Sequence, residues 1–306
     1  MRDCPPILLL VFNRPDLTAT TFESIRQARP QQLFIAADGP RIGRNNEREL
    51  CEATRRVASD VDWPCEVRTL FREANLGCEI AVSEAISWFF GQVDSGIILE
   101  DDCVAHSSFF AFCYDLLRRY ESDDRVMGIT GNNFQAGHHR GNADYYFSKY
   151  LHCWGWATWK RAWAHYDHEM STKDIKEVAR SYAAEPTEAE VWQKKFLSAK
   201  HMELNSWATR WMYSIWSRNG LVATPQKNLV SNIGFDDRAT HTKSGSSTAA
   251  EALKVNRHPR TVRRDSSGDV FVARNHFRIF IPTPAQRVTM FLGSIRRAIW
   301  QSSNGS

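Results

Sequence analysis

Between Gly96 and Asp102 three apolar β-formers, Ile97, Ile98 and Leu99, run directly into Glu100, Asp101 and Asp102. A short, unbroken apolar run fits a strand buried on both faces of a parallel sheet. Ligands of such sheets sit beyond the carboxyl ends of the strands. Three carboxylates packed there repel one another, and at least one takes up a proton unless a cation neutralises them. Hard oxygen donors suit Mg2+ or Mn2+, which commonly reach a protein through one or two carboxylates plus substrate phosphates. The chemistry on offer is a metal–diphosphate site. The plainer reading is an acidic loop capping a helix that begins near Ser107.

Other strand ends add polar groups to the same edge. Ile7–Phe12 reads as a first buried strand, followed by Asn13-Arg14-Pro15-Asp16, with Asn13 as a helix cap and Pro15 in the first turn. A second strand, 33–37, ends in Asp38-Gly39-Pro40, and a polar segment from about Asn45 to Ala58 reads as a helix. A third strand, Cys65 to Phe71, ends in the turn Glu73-Ala74-Asn75-Leu76-Gly77. Val82, Ala85, Ile86 and Phe89 then recur at helical spacing, giving a stripe that faces a sheet. This β-α-β-α-β-α-β order predicts right-handed crossovers and a largely parallel sheet. Arg14 could meet a phosphate or ribose, and Asp38 could accept a hydrogen bond from a pyrimidine imide.

The totals narrow the classes. The 306 residues have the composition of an ordinary globular protein and a net charge of +4. The charge is uneven: residues 251–306 carry ten Lys/Arg against three acids, a net +7, and residues 1–250 carry −3. A basic end suggests an anionic membrane surface rather than nucleic acid, with a plain solvated surface as the alternative. Seven cysteines without a C-x-x-C pair fit reduced thiols in the cytoplasm. The opening residues do not read as a signal peptide, since Arg14 and Pro15 end the short Ile7–Phe12 run, and no apolar run approaches ~20 residues. No G-x-G-x-x-G follows the first strand and no P-loop occurs anywhere, which argues against dinucleotide enzymes and P-loop NTPases.

Beyond Asp102 the pattern predicts a helix over 107–120, a strand over 126–130 and a loop over 131–142. His138-His139 in that loop reads as polar surface rather than a metal site. Trp154, Trp156, Trp159 and Trp163 then crowd together, with Trp156, Trp159 and Trp163 predicted on one helix face and Trp207 and Trp211 one turn apart. Most should be core, with one or two as stacking faces for sugar rings. Residues 171–200 read as charged helix, Leu221–Pro225 as a short edge strand, and 243–250 as a mobile lid. Val288, Phe291, Leu292, Ile295 and Ile299 form an apolar stripe flanked by arginines, the pattern of an interfacial amphipathic helix.

As an ordered set, these residues resemble a GT-A type glycosyltransferase, close to N-acetylglucosaminyltransferase I and related bacterial nucleotide-sugar transferases. The set comprises Asn13-Arg14, Asp38, Glu100-Asp101-Asp102 as a D-x-D variant, Gly155-Trp156, Trp207…Trp211, and Pro225…Ser231-Asn232-Ile233-Gly234-Phe235 leading to His241. It covers roughly residues 6–245. The fold this implies is α/β: one Rossmann-like GT-A domain over 1–250, with a nucleotide-binding half 1–130, a helical acceptor half 131–250 and the basic tail 251–306. Donor contacts would come from Asn13, Arg14, Asp38, Gly39, Asn75, Gly77, Glu100 and Asp101. Asp102 and His241 would bind Mn2+ or Mg2+. The reaction would be one in-line, inverting displacement, with a carboxylate taking the acceptor proton.

The chain departs from that pattern at one point. The family places an acid between the two tryptophans as general base, whereas here the segment reads Trp207-Ala208-Thr209-Arg210-Trp211. Glu203 and Asp237 are the candidate replacements, with Asp236 beside the latter. The reading is a cytoplasmic transferase moving sugar from a UDP-sugar to a glycan or lipid-linked hydroxyl, with peripheral contact to an anionic membrane. Its rivals are a sugar-nucleotide pyrophosphorylase and a non-catalytic carbohydrate-binding protein of the same fold.

Overall fold

The computed structural model describes residues 4–235, 248–283 and 285–286. Its first part alternates as the sequence predicts: β1 (Ile7–Val11), α1 (Pro15–Ala28), β2 (Gln32–Ala37), α2 (Glu47–Ala58), β3 (Glu66–Phe71), α3 (Cys78–Phe90) and β4 (Ser95–Glu100). The four strands are parallel, with Ile7 opposite both Leu33 and Ile97. Helix α1 starts at Pro15, whose missing N–H costs nothing in the first turn. Its flanking residue is Arg14, not Asn13, and no side chain caps it.

The second part contributes β5 (Cys103–Ala105), α4 (Ser107–Arg119), β6 (Val126–Thr130), β7 (Tyr145–Ser148), β8 (Trp156–Trp159), α5 (Lys160–Trp163), α6 (Ile175–Tyr182), α7 (Pro186–Lys200), α8 (Trp207–Ser217), β9 (Leu221–Pro225), β10 (Val230–Asn232) and α9 (Ser266–Asn275). One eight-stranded sheet runs β3-β2-β1-β4-β8-β6-β9-β7, and β10 pairs with β5 beside it. The molecule is thus an α/β, Rossmann-like domain whose sheet crosses the boundary expected at residue 130.

Two expectations change within the sheet. Trp156 and Trp159 lie on strand β8, antiparallel to β4, and not on a helix. Their three-residue spacing therefore sends them to opposite faces. Trp156 packs on Trp163, Trp207 and Trp211, while Trp159 donates its indole N–H to the Leu117 carbonyl of α4 at 2.9 Å. β9 is interior, between β6 and β7, and not an edge. Its five residues are all buried, so an apolar run of that length could not distinguish the two positions.

The chain beyond residue 250 does not leave the domain. Phe147 bridges to Arg264, and the Asp265 N–H donates to the Phe147 carbonyl at 2.8 Å. The buried Asp269 carboxylate accepts from Ser148 Oγ at 2.6 Å and pairs with Arg264. Val272, Ala273, Ile279 and Ile281 join the core. The amphipathic stripe expected over 288–299 and residues 243–247 of the lid expected over 243–250 lie outside the described residues. Among the described residues no helix is long and apolar enough to cross a membrane.

Candidate functional site

The strand order reverses at β1, which has β2 on one side and β4 on the other. In open α/β sheets the crevice at such a switch point is where ligands bind. Here it is formed by Arg14, following β1, and by Glu100, Asp101 and Asp102, at the end of β4 and just after it. The Arg14 guanidinium pairs with Asp101 and reaches Asp102 Oδ2 at 2.9 Å. All three side chains are largely buried, at 14%, 6% and 11% exposure.

The surroundings fix this arrangement. Thr21 Oγ1 donates to the Asp101 carbonyl at 3.0 Å. Asp102 Oδ1 accepts from Asn232 Nδ2 at 3.3 Å, and the Ile233 N–H donates to the Asp102 carbonyl at 2.9 Å. Gly234 closes the crevice: a Cβ there would sit 2.0 Å from Asp102 Oδ2 and 3.0 Å from an Arg14 nitrogen. Burial and the two aspartates push the Glu100 carboxyl up to about 8, against the pull of Arg14. Burial lifts Asp101 to about 6, with Arg14 opposing and Asp102 adding to it. For Arg14 burial works against the charge, and the two aspartates outweigh it, so its pKa rises. Glu100 accepts no hydrogen bond from a described residue, which leaves it as the open carboxylate of the three.

The described residues do not fit a divalent cation as they stand. Both oxygens of Asp102 are engaged, Asp101 is committed to Arg14, and the guanidinium already supplies the positive charge between them. No group of three or more His, Cys, Asp or Glu among the described residues is placed to hold a metal. His241, the second expected ligand, lies outside them, as does Asp237.

Asp38, Gly39, Asn75 and Gly77 come together, but around one another. Asp38 accepts from the N–H groups of Gly39, Leu76 and Gly77 at 2.9–3.1 Å and from Asn75 Nδ2 at 2.9 Å. Asn75 also donates to the Gly39 carbonyl at 2.8 Å. Gly39 runs so close to Ala74 that a Cβ would lie 2.4 Å from its carbonyl carbon. Asp38 therefore builds the turn that leads through Gly77, at φ +80°, into α3. A nucleoside would have to displace one of these donors. Asn13 likewise donates to Glu47 at 3.0 Å, in a cluster with Arg41. His138 packs on Phe271, and His139 Nδ1 lies 3.0 Å from the Gly141 carbonyl.

Beside the crevice lies a cavity of about 340 Å3. Its wall toward the acids is Cys153-Trp154. Burial and the neighbouring Glu100 push the Cys153 thiol pKa up. Trp154 stands edge-on to Phe235, directly after Gly234, at 5.6 Å. The opposite wall comes from Trp192 and Lys195 of α7 and from Ala208 and Met212 of α8. The α7 wall is held by a wholly buried Lys149–Glu188 pair, with Glu188 also accepting from the Ala184 N–H at 2.6 Å. Ala208 lines the cavity, whereas Glu203 is exposed, does not line it and accepts from Ser198 Oγ at 3.0 Å. The sequence reading missed Lys195. Its one signal is its place three residues after Trp192, hidden in a charged helical run.

No protein-family model matches this chain, and no curated protein sequence does. Among solved structures it is similar to a cytidylyltransferase from Leptospira borgpetersenii serovar Hardjo-bovis, at 14% identity over 66% of this chain and 73% of that one, with a TM-score of 0.32. It is also similar to a 4-diphosphocytidyl-2C-methyl-D-erythritol synthase from Anaerococcus prevotii, at 10% identity over 62% and 82%, with a TM-score of 0.33. At these values the likeness gives no residue a role.

Proposed function

We propose that this chain transfers a sugar from a nucleotide-sugar donor, UDP-linked, to a hydroxyl of a glycan or lipid-linked acceptor. The observation that carries the reading is a single juxtaposition. Arg14 and three carboxylates stand at the switch point of the sheet, and Cys153, which lines an aromatic cavity, lies close enough to feel the charge of Glu100 and Asp102. A transferase needs a polar crevice for the donor's diphosphate and an adjoining pocket for the acceptor. Arg14 is the group to meet the diphosphate, since its fork suits phosphate oxygens. Glu100, the open acid, is the group to meet donor hydroxyls.

The test is release of UDP by the full chain across a panel of UDP-sugars and acceptors, each with and without Mn2+ or Mg2+. The ion arms matter because the carboxylates hold a guanidinium where the resemblance puts the metal. Acceptor-dependent UDP release supports the proposal. The pyrophosphorylase alternative is tested in a parallel arm that supplies nucleoside triphosphate and sugar 1-phosphate. Diphosphate release in that arm, without UDP release in the first, replaces glycosyl transfer with nucleotidyl transfer. UDP binding without turnover in either arm favours a binding protein.

A further inference from the structure

The cavity beside the crevice has an unusual charge inventory. Among the described residues its lining contains no Asp or Glu. It does contain Lys195, whose ammonium sits 4.8 Å from the Trp192 ring centre and 4.9 Å from that of Phe277. No carboxylate of a described residue pairs with it, and burial alone accounts for its lowered pKa. Ring faces attract a cation, yet they leave its positive field open toward the cavity. The other basic groups there carry no charge near neutral pH. His276 is held down at about 4 by burial and by Lys195 and Arg278, and burial holds His152 well below its ordinary value.

The rest of the lining is amphipathic. Trp154 and Phe277 are partly exposed rings, Trp192 is buried beneath Lys195, and the histidines and Thr209 offer hydrogen-bonding atoms. At about 340 Å3 the cavity takes a small ligand, not a long chain. We propose that it is a binding site for a saccharide carrying an anionic group, a carboxylate or a phosphate, with Lys195 as the counter-charge and the partly exposed Trp154 ring as a stacking face. Its designation as the acceptor site rests on the transferase reading; the anion selectivity does not. Ala208 fits this assignment, because an acid there would share the cavity with Lys195 and cancel its field.

The experiment measures binding to the full chain by titration calorimetry and saturation-transfer NMR, without any donor. The probes are methyl glucuronide, methyl glucoside 6-phosphate and neutral methyl glucoside. A charged probe should bind more tightly than the neutral one by on the order of tenfold, the worth of a charge-assisted hydrogen bond. Which charged probe wins tells carboxylate from phosphate. Lys195→Met should erase the preference while neutral binding stays, and Lys195→Arg should restore most of it. Equal binding of all three probes to the unaltered chain, which needs no variant, overturns the proposal, as does an undiminished preference in Lys195→Met. Anion preference without any UDP release would leave this site standing and remove the transferase reading. Turnover without anion preference would do the reverse.

Discussion

On one side of the Cys153–Trp154 wall two aspartates pair with a single guanidinium beside a third, unbonded acid; on the other, an ammonium pairs with no carboxylate among the described residues. The two sides handle their imbalance differently. The acidic crevice relieves its excess internally, by the Arg14 pairs and by holding protons on Glu100 and Asp101 well above the usual carboxylate range. The cavity does not do so among the described residues, where Lys195 lies against the Trp192 and Phe277 rings and near imidazoles held neutral by burial. One region is therefore tuned by protons and the other by its ligand. Sequence order hides this contrast: Cys153 and Glu100 are neighbours in space and lie on separate segments of the chain.

The largest effect should come from removing the shared guanidinium. Arg14→Ala leaves Asp101 and Asp102 buried without a partner, and breaking such a pair costs about 3–5 kcal/mol. The midpoint of urea unfolding at pH 8 should fall accordingly, and UDP binding should be lost with it. At pH 5 the penalty should shrink, because Asp101 then keeps its proton. An unchanged midpoint at both pH values would mean that the crevice is neutralised by something other than Arg14, and the contrast with the cavity would collapse.

Glu100 gives a smaller, pH-coded effect. Its carboxyl is raised from an ordinary 4.5 to about 8 in the folded protein. The folded state therefore holds a proton that the unfolded chain has released. Stability from this group is whole below the unfolded value and is lost as the pH rises through about 8. Because the shift of this largely buried group is shared with the neighbouring aspartates, the loss should be on the order of 2 kcal/mol. Glu100→Gln should flatten the slope between pH 5 and pH 8.5 and raise Tm at the alkaline end. A variant whose Tm still parallels that of the parent across this range would show that Glu100 titrates normally.

Much of the crevice was legible in the sequence, because local rules decide it. Apolar runs ending in polar turns specify buried parallel strands, and those runs brought Arg14 and Glu100-Asp101-Asp102 to one edge. What local rules could not give was how the polar groups would use each other. Asp38 reads equally well as a ligand contact or as the anchor of the 75–77 turn, and only its four donors decide between them. The tryptophan run was misread for a related reason: Trp156, Trp159 and Trp163 fit a helical period, while the gap between β4 and β6 claims the first two for a strand. Lys195 was invisible because a lysine in a charged helix is normally solvated. Its burial depends on Phe277, far away in sequence, on the segment expected to be a separate tail.

The smallest effect concerns which side of the wall supplies a base. Glu203 sits one turn before Trp207 in sequence, and on that spacing alone it could replace the acid missing at Ala208. In the fold its carboxylate is exposed, occupied by Ser198 Oγ at 3.0 Å, and absent from the cavity lining that Ala208 and Leu204 share. A general base must come within hydrogen-bonding reach of the proton it takes, and its loss typically costs 10²–10⁴-fold in rate. Glu203→Gln should therefore leave kcat for UDP release within about twofold and stability within about 0.5 kcal/mol, as for an ordinary surface change. The measurement is kcat and KM against pH for both proteins, on the acceptor that the assay identifies. A drop of about a hundredfold in kcat, with KM and Tm unchanged, would bring Glu203 into the reaction. It would also mean that the α7–α8 connection moves toward the cavity during turnover, so that the separation between the acid-rich crevice and a pocket lined by no acid among the described residues would not persist during the reaction.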